Sequence, residues 1–318
     1  MKMRLKTVIL VVMMGMLLVS CTAEGVNNEE KEKIKIAVSI VPQATFVEKV
    51  GGDLVEVVTM IPPGNNPENY QPRPRDMVAF SEAEIYFTIG VPVEQAGLLS
   101  SAKDLNTEME FVDLADIVDS AYPYIEYSEN NFYHEDDHYH DHSYDEEEDD
   151  HNHEGRDTHI WMSPKRAVVM VEAIRDNLSR IDPENAEIYE ENAAAYIFQL
   201  HELDRRISET MESLEFRTFL IYHPSMGYFA DDYGLNMIAI EEEGKEATAQ
   251  RLKGIIDFAK ENEIKAVFYQ QEHDKNQAET IAREIGGEVL EIAPLSPDYI
   301  ENLKNIEEAF SKVLSQEG

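Results

Sequence analysis

The chain has 318 residues, 43% of them hydrophobic, and 64 acidic against 27 basic side chains give a formal net charge of −37. That length provides for one large or two medium domains with real cores. The charge excludes nucleic acid, whose binding needs a basic surface, and suits the attraction of cations.

Taken in chain order, the first stretch is "MKMRLKTVILVVMMGMLLVSC". Lys2, Arg4 and Lys6 form a basic start, and residues 7–19 are apolar but too short to span a bilayer comfortably. The run ends in Leu18-Val19-Ser20-Cys21, which resembles a bacterial lipobox, so residues 1–20 read as a lipoprotein signal peptide. Cys21 is the sole cysteine. It can form no intrachain disulfide, and its place after a small residue suits an acyl acceptor better than a redox thiol. Residues 21–33 are polar and read as a tether, placing the mature protein outside the cell membrane on a lipid anchor. No later segment is long and apolar enough to be transmembrane.

From residue 34, short apolar runs alternate with helical patterns. Strands are predicted at 34–41, 55–61, 84–89 and 108–112, with helices at 43–51, 75–82 and 92–103 between them. Residues 164–181 are predicted helical. A longer helix over 183–214 starts at Asp182-Pro183, aspartate before an N1 proline. Within it Tyr196, Leu200, Leu203, Ile207, Met211 and Leu214 recur at spacings of three and four, one apolar stripe on a rod of roughly 48 Å. Strands follow at 218–222, 236–240, 265–270 and 288–293, with helices at 225–232, 247–261, 275–285 and 298–314. The predicted fold is α/β: two lobes, each a mainly parallel sheet flanked by helices, joined by one long rigid helix. The lobes span 34–163 and 215–318, and the linking helices span 164–214. A cleft between such lobes, at the carboxyl ends of the strands, is the expected ligand site.

Within the first lobe, ahead of the linking helices, lies "HEDDHYHDHSYDEEEDDHNHE", residues 134–154. It holds His134, His138, His140, His142, His151 and His153 and eleven acidic residues. It contains a literal H-E-x-x-H, but a zinc peptidase needs that motif on a buried helix face, and these flanks offer nothing to bury. Low complexity and the lack of an apolar face make it a loop, expected to collect metal weakly and in many arrangements. Two other histidines have structure around them. "RDTHIWMSP" places His159 just before a helix, and "FLIYHPSMGYFADDYGL" places His223 at a strand end in the second lobe.

On these stretches the chain resembles the metal-binding lipoproteins of ABC importers for zinc and manganese. "IPPGNNPENYQPRP" resembles that family's P-G-x-x-P-H-x-Y segment, "DTHIWMSP" its D-P-H-x-W-x-x-P, "YHPSMGYFADDYGL" its third-ligand segment, and "IDPENAEIYEENAAAYIFQL" the start of its linking helix. The likeness extends over essentially the whole mature chain. It implies a metal held between the lobes and handed to an ABC permease in the cytoplasmic membrane. It also implies that a His-rich loop goes with Zn²⁺ more than Mn²⁺. His159 and His223 stand at ligand positions. Where the family has its first histidine this chain has Glu68, its acidic D-P-L position holds Ala293, and an upstream glutamate position holds Gln270. Glutamate ligates zinc through oxygen, and more oxygen shifts preference toward Mn²⁺ or Fe²⁺. For the fourth ligand Glu272 is taken first, at a strand end. Glu291, His273, Gln270 or water are the alternatives. Glu291 would share a strand face with Ala293.

The expected function is therefore a non-enzymatic, monomeric zinc-binding component of an importer, whose affinity falls at acid pH because the imidazoles must be neutral. The alternatives are a manganese- or iron-binding homologue and a surface metal buffer or adhesive lipoprotein. A metallohydrolase stands third, because no separate general base is singled out.

Overall fold

The computed structural model describes residues 33–126, 156–241, 247–273 and 275–315. Cys21, the leader and tether, and the six histidines of the acidic loop lie outside the described residues.

The first sheet contains β1 (Ile34–Val38), β2 (Val55–Thr59), β3 (Ile85–Thr88) and β4 (Glu110–Asp113), all parallel, in the order β2-β1-β3-β4. The second contains β5 (Thr218–Ile221), β6 (Asn236–Ala239), β7 (Ala266–Gln270) and β8 (Glu288–Ile292) in the matching order β6-β5-β7-β8. In each the chain winds outward from the centre and reverses beside its first strand. That reversal is the place where an α/β sheet opens a crevice at its carboxyl edge. The two lobes of the sequence are thus two sheets of one topology.

The connecting helices are α1 (Val41–Gly51), α2 (Pro74–Phe80), α3 (Leu99–Leu105) and α4 (Leu114–Asp119) in the first half. The second half has α7 (Gly227–Tyr233), α8 (Ala249–Glu261), α9 (Asn276–Ile285) and α10 (Tyr299–Leu314). The sequence pattern passed over α4. It is short, and its start is set by a local cap, the Asp113 carboxylate accepting from the N–H groups of Ala115 at 2.9 Å and Asp116 at 3.1 Å. The helix expected at 92–103 is interrupted. Residues Glu94–Leu98 form a π turn in which Gly97 takes φ +132, and α3 begins only after it.

Between the halves lie α5 (Pro164–Ile181) and α6 (Ala186–Glu212). Ser163 caps α5, its Oγ accepting from the Arg166 N–H at 3.2 Å, with Pro164 at the first helical position. The long helix is shorter than expected, because Pro183–Asn185 form a separate 3-10 turn and the α-helix proper has 27 residues, about 40 Å. Its apolar stripe is fully engaged: Tyr196, Leu200, Leu203, Ile207 and Met211 are all buried. α6 packs against α1 and α5 of the first half and against α10 of the second. One continuous apolar core therefore runs from Ile36 and Phe87 of the first sheet, through Leu200 and Ile207, to Phe219, Phe268 and Phe310 of the second half. A smaller cluster lies on the other face of the second sheet, where Leu220 and Tyr222 meet Ile255 and Ile281. Alternate residues of β5 serve the two clusters, as the pleat requires.

Polar contacts close the same seam. The Trp161 indole N–H donates to the Pro294 carbonyl at 2.9 Å, and the Tyr299 hydroxyl donates to the Trp161 carbonyl at 2.6 Å. The Thr45 hydroxyl donates to the Pro297 carbonyl at 2.8 Å.

Candidate metal centre

Four segments bring side chains able to ligate a metal to the carboxyl edges of the two sheets. Glu68 lies on the loop after β2, where its N–H donates to the Asn66 side-chain oxygen at 2.8 Å. His159 starts the 3-10 turn Ile160–Met162. His223 lies just past β5 and His273 just past β7, on either side of the point where the second sheet reverses. All four line one cleft, together with Trp161 and Leu295.

The atoms converge. His159 Nε2 and His223 Nε2 are 3.4 Å apart, and Glu68 Oε1 is also 3.4 Å from His223 Nε2. Zinc bound tetrahedrally at about 2.0–2.1 Å by nitrogen separates its donors by roughly 3.3 Å. Donor atoms of Glu68, His223 and His273 all lie within 4.8 Å of one another. The rings of His223 and His273 stack, with centroids 4.4 Å apart and planes at 20°.

Two carboxylates stand behind the imidazoles. Asp157, fully buried, accepts from the His159 backbone N–H at 2.8 Å and meets His159 Nδ1 at 2.8 Å. Glu241, also buried, has Oε2 at 3.3 Å from His223 Nδ1 and 3.6 Å from His273 Nδ1. These partners move the two imidazoles apart. Burial disfavours the charged form of His223, but the contact with Glu241 and the charges of Glu68, Glu241 and Asp157 outweigh it and raise its pKa. His273 is lowered, by burial first and by the neighbouring His223 second.

The remaining sequence candidates occupy different places. Glu272 lines the cleft, half-buried. Its Oε1 accepts from the Gln271 amide at 3.1 Å, and burial raises its pKa. Gln270 is buried at the end of β7 and lines the same cleft. Glu291 turns outward and accepts from the Tyr269 hydroxyl at 2.6 Å. The face it was expected to share with Ala293 does not reach the cleft, because β8 ends at Ile292 and Ala293 belongs to the following turn. The Ala293 carbonyl there accepts from the Asn302 amide at 2.8 Å.

Asp157 and Glu241 were missed in the sequence. Asp157 stands two residues before His159, a signal readable without structure. Glu241 is legible only through register: Ile221 pairs with Ala239, so the residues two beyond each, His223 and Glu241, emerge side by side.

The model of the family described as "Zinc-uptake complex component A periplasmic" matches residues 36–313. The chain belongs to this family. It is 28% identical to the zinc-binding lipoprotein AdcA of Streptococcus pneumoniae, over 96% of this chain and 60% of that protein. It is also 28% identical to the manganese-binding lipoprotein MntA of Halalkalibacterium halodurans, over 96% of this chain and 97% of the relative. Against the AdcA proteins the chain spans only 50–60% of their length. A crystal structure of ZnuA superposes with a TM-score of 0.77 at 35% identity, covering 89% of this chain and 100% of that one. This zinc-uptake family is one of metal-binding components and not of enzymes, which agrees with the reading of the H-E-x-x-H as an accident of composition.

Proposed function

We propose that the chain is the extracytoplasmic zinc-capturing component of a metal ABC importer, held to the membrane by a lipid on Cys21, and that it delivers Zn²⁺ to a membrane permease. The cation sits in the cleft on His159, His223, Glu68 and His273. The observation that carries this reading is the pair of 3.4 Å contacts from His223 Nε2, to His159 Nε2 and to Glu68 Oε1. Both match the edge of a tetrahedral zinc shell. His273 replaces Glu272 as fourth donor, because its donor atom falls in the cluster with Glu68 and His223. Three imidazoles and one carboxylate favour zinc over manganese, which prefers oxygen-rich shells. The acidic loop 134–154, outside the described residues, serves as an accessory collector, and the working site is the cleft. Family membership and the lipoprotein names of relatives support the placement outside the cell membrane. Among the described residues no helix is long and apolar enough to cross a membrane.

Deleting residues 134–154 and exposing the protein to Zn²⁺ and Mn²⁺ in competition tests this. One tight zinc equivalent is expected to remain, and His159→Ala with His223→Ala is expected to remove it. Loss of all tight binding with the loop would make the protein a surface buffer instead.

A further inference from the structure

We propose that Glu241 is a shared positioning residue: one buried carboxylate oxygen holds the Nδ1 edges of both His223 and His273 and thereby turns both Nε2 lone pairs toward the cation. The inference rests on the zinc-binding reading above and adds to it a residue that does not itself touch the metal.

Glu241 is 5% exposed and directly follows β6 and Ile240. Its backbone N–H donates to the Tyr222 carbonyl at 2.9 Å, which fixes it beside His223. Because the two imidazoles stack nearly parallel, a single oxygen faces the same edge of both rings, at 3.3 Å and 3.6 Å. Among the described residues neither Glu241 Oε2 nor His223 Nδ1 has a hydrogen-bond partner of good geometry, so at 3.3 Å each is the other's nearest polar match. An ionised carboxylate only accepts, so a neutral imidazole against it carries its proton on Nδ1 and leaves Nε2 as an acceptor, which at His223 faces His159 Nε2 and at His273 meets the Asn66 amide at 3.5 Å. Asp157 imposes the same tautomer on His159 from the other side of the cleft. Two buried carboxylates thus prepare three imidazoles. The arrangement leaves His159 Nε2 and His223 Nε2 facing each other as lone pairs 3.4 Å apart. Two such lone pairs repel, and a cation between them converts the repulsion into two bonds. Partners of this kind raise ligand basicity and fix ring orientation, and their removal weakens metal binding without changing the ligands.

The test uses the full chain and the first equivalent of Zn²⁺, titrated against a chromophoric chelator. Glu241→Ala is expected to weaken binding about 10–100-fold while the one-site stoichiometry persists. Glu241→Gln, whose single amide oxygen accepts from one imidazole only, is expected to fall between Glu241→Ala and the unaltered chain. A second measurement needs no variant: nitrogen-15 NMR of the metal-free protein should find the Nδ1–H tautomer at both His223 and His273. An affinity for Glu241→Ala within twofold of the unaltered chain, or an Nε2–H tautomer at either histidine, overturns the proposal and leaves the zinc reading intact. Absence of any tight equivalent in the unaltered chain overturns both.

Discussion

Gly227 begins α7, and what surrounds it explains why it has no side chain. A Cβ placed there would lie 2.3 Å from Asp157 Oδ2, far inside contact distance. Asp157 is fully buried and already holds the His159 backbone and ring, so it has no free volume into which to retreat. Gly227→Ala should therefore act on the metal through two intermediaries. We expect zinc affinity to fall about 10–100-fold by loss of the Asp157–His159 contact, and stability to fall by about 1–3 kcal/mol from overpacking. Isothermal titration and denaturant unfolding of the same sample separate the two, and an unchanged zinc affinity would show that Asp157 can yield without releasing His159. At this scale the sequence carried the site unevenly. His159 and His223 stood out because each sits where a strand or loop gives way to a helix. Which of Glu272 and His273 would group with Glu68 and His223 could not be read, because neighbours on a turn past a strand end point in directions that only the turn geometry decides.

The π turn Glu94–Leu98 carries another buried carboxylate. Glu94 accepts from the N–H groups of Ile89 at 3.0 Å and Gly90 at 2.9 Å and pairs with the Ser39 hydroxyl, which in turn meets the Tyr86 hydroxyl at 2.6 Å. The cluster ties β1 to the end of β3 and to the loop whose Val91 and Pro92 line the cleft. Burial raises Glu94 to about 7, against the lowering effect of those hydrogen bonds. A carboxyl raised on folding favours the native state most fully below its unfolded pKa, so this contribution is lost as pH rises from about 4.5 through 7. The loss amounts to about 3 kcal/mol. Glu94→Gln keeps the shape and an acceptor for the two N–H groups and removes the titration. Thermal unfolding of the metal-free proteins across this range should show a shallower decline for the variant; parallel curves would remove Glu94 from the pH response. The sequence placed a helix here and could not place its break, since Gly97 looks like any tolerated helical glycine until its φ is known. The eight strands were all legible, because strands of parallel sheets read as near-continuous apolar runs between turn signals.

Across the whole molecule, the halves share one core and not two. The sequence indicated a rigid linking helix from the periodicity of its apolar stripe, but periodicity cannot tell which element occupies each side of that stripe. In the structure α1, α5 and α10 all pack on α6, and Leu200 and Ile207 lie inside a cluster reaching from Ile36 to Phe310. A hinge through such a core would expose apolar surface at about 25 cal/mol per Å², so under the proposed function release of the cation comes from the cleft loops and not from separation of the halves. The same continuity predicts a single cooperative transition in metal-free denaturant unfolding, followed by circular dichroism and by fluorescence of Trp161, which sits at the seam. Two separable transitions would contradict the shared core.

The two hydrogen bonds that fasten Trp161 reach residues 294 and 299, more than a hundred positions further along the chain. A chain delivered N-terminus first presents His159 well before the groups that hold its segment in place. Until α10 has arrived and Tyr299 has locked onto the Trp161 carbonyl, the histidines belong to an open polymer in which capturing an ion would mean ordering the whole chain around it. Under the proposed zinc-capturing function, synthesis thus imposes a time order on selectivity. The proposed cleft can discriminate among cations only after α10 is in place, and a chain still emerging would carry no preformed cargo site.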